Sequence, residues 1–232
     1  MPAPRRPRSD PRGSGSGDRP GGRAAARHGD QRSQGPAAEA AAAAPRIIGG
    51  TLRGRRLAYA PHDRTRPMKD RVRETLFDLL GPAVRGAIAI DLFAGTGALG
   101  FESLSRGAAR AVFCERHFPT ADALKKSAES LGVAALVEVR PGDVLTWGKR
   151  MPELPRTGPW VVFVSPPWAM FVDRLPDLLA VLAAVREAAP PGSTFVVEAD
   201  DSFDPASLPD AGRWLSRGMP PAVLHILPGL LS

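Results

Sequence analysis

The chain has 232 residues, enough for one sizeable core or two small ones, and a formal charge of +7. Its one cysteine, Cys114, excludes an intrachain disulfide and fits the reducing cytoplasm. Four scattered His give no metal-ligand cluster, no apolar stretch reaches the length of a membrane span, and the N-terminus lacks the apolar core of a signal peptide.

Residues 1–45 contain no Leu, Ile, Val, Phe, Tyr or Trp, and Gly and Pro supply fourteen of the positions. Such a segment cannot bury enough apolar surface to offset the entropy of ordering, so it reads as a disordered tail. Residues 46–85 carry a balance of +6, whereas residues 86–232 carry −3. A basic block ahead of a mildly acidic domain reads as a polyanion-binding extension, with a solubilising face as the alternative.

Within that block, Arg46-Ile47-Ile48-Gly49-Gly50-Thr51-Leu52-Arg53-Gly54-Arg55-Arg56-Leu57 predicts a small hairpin broken by glycine turns. A helix follows, with Pro67 in its first turn, Asp70 on its N-terminal dipole, a stripe of Val72, Leu76, Leu79 and Leu80, and Gly81-Pro82 at its end. Arg46, Arg53, Arg55, Arg56, Arg66, Lys69 and Arg71 are candidate RNA contacts, because Arg reads phosphate with a planar fork. About half of the basic residues here are expected to be structural, some paired with Asp70, Glu74 and Asp78 at helical spacing.

From residue 86 the pattern is that of a second, larger domain running to 232. Strands are predicted over 87–92, 109–115, 135–140, 160–165 and 193–199, and helices over 97–106, 118–131 and 171–189. The strands are apolar throughout, as when both faces are covered, and the alternation implies an α/β fold with a parallel sheet. Residues 213–228 carry a candidate closing hairpin interrupted by Met219-Pro220-Pro221.

Chemistry concentrates at the strand ends. Asp91-Leu92-Phe93-Ala94-Gly95-Thr96-Gly97 closes an apolar strand and opens a helix. Glycine lets that turn curl tightly against a ligand, and the helix N-terminus offers free N–H groups. Alone the turn is compatible with several nucleotide cofactors. Glu115, with Arg116 after it, ends the second strand, where an acid can bridge ribose hydroxyls. Gly142-Asp143-Val144 follows the third strand, where a carboxylate can accept from an adenine amine. Acids at three successive strand ends lie on one rim of the sheet, the rim that binds ligands in such folds.

The second run, Val161-Val162-Phe163-Val164-Ser165-Pro166-Pro167-Trp168, supplies an acceptor site. The Ser165 and Pro166 carbonyls can accept hydrogens from an exocyclic amine, and Pro166 and Pro167 fix the backbone so that they point outward. Trp168 can stack on a base, worth ~1–3 kcal/mol. Together the two runs imply S-adenosylmethionine-dependent methylation of a planar, amine-bearing base.

These residues resemble the RsmD family of bacterial 16S ribosomal RNA guanine-N2 methyltransferases over about residues 46–200. The resemblance rests on Arg46-Ile47-Ile48-Gly49-Gly50, Leu52-Arg53-Gly54-Arg55, Arg66-Pro67 and Asp70-Arg71-Val72-Arg73-Glu74-Thr75-Leu76-Phe77. It continues through Asp91 to Gly100, Glu102, Leu104-Ser105-Arg106-Gly107-Ala108 and Pro166-Pro167. It implies a Rossmann-like class I methyltransferase sheet with an N-terminal extension that helps bind RNA. It also implies S-adenosylmethionine held by Asp91, Gly95, Gly97, Glu115 and Asp143, and ribosomal RNA or a small-subunit particle as partner. One departure stands out: the family has Asp or Asn where this chain has Ser165, and Ser-Pro-Pro-aromatic looks more like cytosine-N4 methyltransferases. A cytosine-N4 or adenine-N6 methyltransferase acting on RNA or DNA, or a catalytically silent RNA-binding assembly factor, are therefore the rival expectations.

Overall fold

The computed structural model of the chain describes residues 44–58 and 68–229. The expectations for residues 1–43, for Pro67 and for Arg66 lie outside them. A seven-stranded sheet in the order β3-β2-β1-β4-β5-β7-β6 forms the centre. Its strands are β1 (Ile88–Asp91), β2 (Arg110–Glu115), β3 (Val137–Pro141), β4 (Trp160–Val164), β5 (Thr194–Asp200), β6 (Leu215–Met219) and β7 (Ala222–Leu227). The first five are parallel; β7 runs antiparallel to β5, and β6 antiparallel to β7. The closing hairpin turns at Pro220-Pro221, two residues that could not donate to a ladder in any case.

Strand residues alternate between two apolar layers. Ala89, Ala111, Phe113, Val161 and Phe163 face one layer with α1 (Asp70–Leu80), α2 (Ala98–Ser105) and α3 (Phe118–Leu131). Ile88, Ile90, Val112, Val162 and Val164 face the other, against Leu178, Val181, Leu182 and Val185 of a later helix. The helix expected over 171–189 is in fact two: α4 (Ala169–Asp173) and α5 (Leu175–Ala188), separated at Arg174 with φ −137°. Pro176 accounts for the break. Lacking an N–H and carrying a ring that clashes one turn back, it suits a helix start and not a helix middle.

Helix α1 buries Val72, Arg73, Leu76, Phe77 and Leu80, while Leu79 is half exposed. The buried stripe runs through 73, 76, 77 and 80, so it leans away from the expected Leu79 towards Phe77. Residues 46–56 close with a single antiparallel bridge, Arg46 to Arg56, around a turn instead of a ladder. This loop sits on α2. The Glu102 carboxylate, wholly buried, accepts from the Ile48 N–H at 2.7 Å and the Gly49 N–H at 2.8 Å. The Ser105 carbonyl accepts from the Thr51 N–H at 2.8 Å. Gly50 has φ +74°, and a Cβ there would fall 1.9 Å from the Ser105 carbonyl oxygen. Only glycine fits at position 50.

Candidate active site

The C-terminal ends of β1, β2, β4 and β5, with the loop after β3, open onto a cavity of about 970 Å³. Ten of the expected cofactor residues line it: Asp91, Phe93, Ala94, Gly95, Thr96, Glu115, Arg116, Gly142, Asp143 and Val144. Ser165, Pro166, Pro167 and Trp168 line its other end. Gly97 does not. It caps α2 with φ +75°, and a Cβ there would meet Leu124 at 2.4 Å and Phe101 at 2.8 Å. Its lack of a side chain serves the turn and the packing of α2 on α3.

Asp91 ends β1 wholly buried, and neither carboxylate oxygen has a hydrogen-bond partner. Burial pushes its carboxyl up to about 7. The amide of Gly100, and to a lesser extent that of Phe93, pulls the other way without reaching hydrogen-bonding geometry, while Glu115 pushes it further up. An orphaned acid on a cavity wall is destabilising unless a ligand satisfies it. What fits it is a cation, or a donor group.

Glu115 accepts from the Gly95 N–H at 2.9 Å and the His117 N–H at 2.7 Å, tying the loop after β1 to the loop after β2. A carboxylate has about four lone-pair positions, so this anchoring is compatible with a ribose contact as well. Asp143 accepts from the Leu145 N–H at 3.0 Å, which caps the turn Val144–Gly148 and fixes the side chain beside the cavity.

At the acceptor end the Pro167 carbonyl takes the Met170 N–H at 2.8 Å, and the Trp168 carbonyl takes that of Phe171 at 2.9 Å. Those bonds start α4 and leave Trp168 half-buried at the cavity. Ser165 Oγ donates to the Glu198 carboxylate. Glu198 belongs to β5, is buried, and lines the same cavity; burial raises its carboxyl pKa while the Ser165 hydrogen bond opposes that. Sequence reasoning placed Glu198 in a strand without a role. Its signal was an acid in the middle of the run Thr194-Phe195-Val196-Val197-Glu198-Ala199. Met68, Met219 and Pro221 also line the cavity and were not anticipated.

The expected RNA contacts divide. Arg46 pairs with Asp70 at 3.1 Å and Arg55 donates to the Ser130 carbonyl, so both have structural partners. Arg56 lies exposed beside the Ala44 carbonyl at 3.4 Å. Arg53 and Arg71 are exposed, and Lys69 is exposed on the cavity rim. Among the described residues no cluster of His, Cys, Asp or Glu could hold a metal, and no helix is long and apolar enough to cross a membrane.

A family model described as Conserved hypothetical protein 95 matches residues 45–211. Ribosomal RNA small subunit methyltransferase D of Escherichia coli is 42% identical over 125 residues, 53% of this chain and 60% of that protein. The protein of that name from Haemophilus influenzae is 40% identical over 124 residues, 53% of this chain and 63% of its own. The chain thus spans about three-fifths of these two relatives' length. The solved Escherichia coli protein yhhF superposes with a TM-score of 0.64 at 28% identity, covering 82% of this chain and 99% of its own. An RNA methyltransferase from Salinibacter ruber, solved with S-adenosyl-L-homocysteine, shares the fold with a TM-score of 0.51 at 21% identity, over 72% and 97% of the two chains. The sheet is the Rossmann-like sheet of class I methyltransferases, and the chain belongs to the Conserved hypothetical protein 95 family, the RsmD family that its motifs resemble.

Proposed function

We propose that the protein transfers a methyl group from S-adenosylmethionine to the exocyclic N2 amine of a guanine in small-subunit ribosomal RNA, acting in the cytoplasm. One observation carries this reading: a single cavity joins the orphaned Asp91 and the acids Glu115 and Asp143 to Ser165-Pro166-Pro167-Trp168. The cofactor fits, because it brings an ammonium and a sulfonium to a wall with an unpaired buried carboxylate. When bound it supplies a methyl group already activated by the positive sulfur. The chain therefore needs no strong nucleophile and works by placement. Trp168 stacks on the base. A backbone carbonyl of Ser165 or Pro166 accepts an amine hydrogen, which helps draw the nitrogen lone pair out of conjugation with the ring. Lys69, Arg53 and Arg71 hold the phosphate backbone outside the rim.

The test is a reaction of labelled cofactor with small ribosomal subunits lacking the modification, followed by nucleoside mass spectrometry. N2-methylguanosine supports the reading. N4-methylcytidine or N6-methyladenosine overturns the choice of base, as Ser165 in place of Asp or Asn would then have redirected it. Cofactor binding without any product points to a silent RNA-binding factor. Trp168→Ala is expected to lower kcat/KM about 10–100-fold through lost stacking. Lys69→Ala should weaken RNA binding and reduce its salt dependence by about one counterion, leaving binding of S-adenosylhomocysteine intact.

A further inference from the structure

We propose that Glu198, oriented by Ser165, is the specificity-determining residue of the acceptor site: its carboxylate accepts the N1–H and one N2–H of guanine side by side. The inference rests on the guanine-N2 reading above and supplies the group that makes guanine the base chosen.

The geometry comes from the sheet. β4 and β5 pair with Val164 opposite Val197, so Ser165 and Glu198 occupy the next rung, where cross-strand side chains meet. Ser165 Oγ donates to one carboxylate oxygen, and both residues line the cavity with Pro166 and Trp168. Among the described residues no basic side chain pairs with Glu198. Ser165 uses one of about four lone-pair positions, so the carboxylate retains the capacity for two more donors.

Base chemistry then discriminates. The edge of guanine that carries the N2 amine presents two adjacent donors, N1–H and N2–H. Cytosine presents a donor at N4 beside an acceptor at N3, and adenine a donor at N6 beside an acceptor at N1. An ionised carboxylate only accepts, so it matches guanine and faces a lone pair on either of the others. Glu198 is buried, where an unmatched pair of acceptors is most unfavourable. The carboxylate missing at position 165 is in this way supplied from the neighbouring strand.

The experiment uses full-length protein and small-subunit RNA in which the methylated guanosine, once mapped, is replaced by 2-aminopurine riboside. That base keeps the 2-amino group and carries an acceptor at N1. The wild type is expected to methylate guanine about 10–100-fold faster than 2-aminopurine. Glu198→Gln offers one acceptor and one donor, so its preference should invert in favour of 2-aminopurine, with binding of S-adenosylhomocysteine retained. A structural loss would lower both substrates together and leave their ratio unchanged. A wild type that methylates both bases equally overturns the proposal, whether or not the Gln variant folds. So does a Gln variant with the wild-type ratio. If the wild type yields no N2-methylguanosine at all, the functional reading fails, and this inference with it. N2-methylguanosine with indifference to N1 overturns only the role of Glu198.

Discussion

Asp91→Asn is expected to stabilise the ligand-free protein at pH 8 while removing most of its cofactor affinity. The Asp91 carboxyl, normally near 3.8, is pushed up to about 7 by complete burial without a partner. Between those two values the folded protein holds a proton that the unfolded chain has released. Stability therefore falls as pH rises through this window and stays low above it. A shift of about three units corresponds to on the order of 4 kcal/mol. Asn carries no charge and escapes that loss, though its own unpaired amide costs about 1–3 kcal/mol. The expected net gain at pH 8 is about 1–3 kcal/mol, read as a higher urea midpoint, and it should vanish near pH 4. Cofactor binding reverses the sign. A cation beside Asp91 favours the ionised form, so binding to the wild type releases a proton below about pH 7 and tightens as pH rises towards that value, levelling off above it. Calorimetry in two buffers of different ionisation enthalpy measures the proton directly. The Asn variant should show neither proton release nor this pH dependence, and should bind about 100-fold more weakly. Wild-type affinity and wild-type pH dependence in that variant would mean that Asp91 does not face the cofactor.

Strands β1, β2, β4 and β5 are buried, largely apolar runs, legible to within two residues from sequence alone; β3, at the sheet edge with Glu138 and Arg140, is only half-buried and departs from the expectation of strands apolar throughout. The three strand-end acids do share one cavity, as their place on one rim of the sheet implied, although Glu115 and Asp143 also anchor the loops around them. Glu198 was not legible, because a lone acid within a strand is equally a break in the pattern until its neighbour across the ladder is known. That neighbour, Ser165, lies 33 residues away in sequence. Gly97 shows a different limit. A Gly-x-Gly spelling marks a tight turn, but not which glycine packs against the core; here Leu124 and Phe101 show that Gly97 does. The basic block shows a third. Composition counts charges without assigning partners, so Arg46 and Arg55 looked like Arg53 and Arg71 until Asp70 and the Ser130 carbonyl appeared beside the first two.

Those partners also change how the N-terminal motif reads, and Glu102→Ala tests the change. Glu102 is wholly buried and accepts from the Ile48 and Gly49 amides and from Arg106 Nε at 2.8 Å. Arg73, exposed by only 1%, lies 3.8 Å from it. Arg73 in turn donates to the Arg46 carbonyl at 2.6 Å and to Asp70 at 3.1 Å. Arg46, Ile48, Gly49, Asp70, Arg73, Glu102 and Arg106 thus form one network that clips the loop at 46–56 onto α1 and α2. Much of the family-specific sequence is here a structural lock beside the cavity rim. Removing the Glu102 side chain leaves two part-buried amides without an acceptor and Arg73 with only the half-exposed Asp70 as counter-charge. A cost of about 3–5 kcal/mol is expected in urea unfolding. Glu102→Gln, which keeps the shape and one acceptor, should lose less than the Ala variant. Hydrogen exchange of residues 46–56 should accelerate in both, ahead of the central strands, because the clip and not the sheet has been released. A loss below about 1 kcal/mol, with protection of that loop unchanged, would show that apolar contacts at Ile47 and Leu57 suffice to hold it.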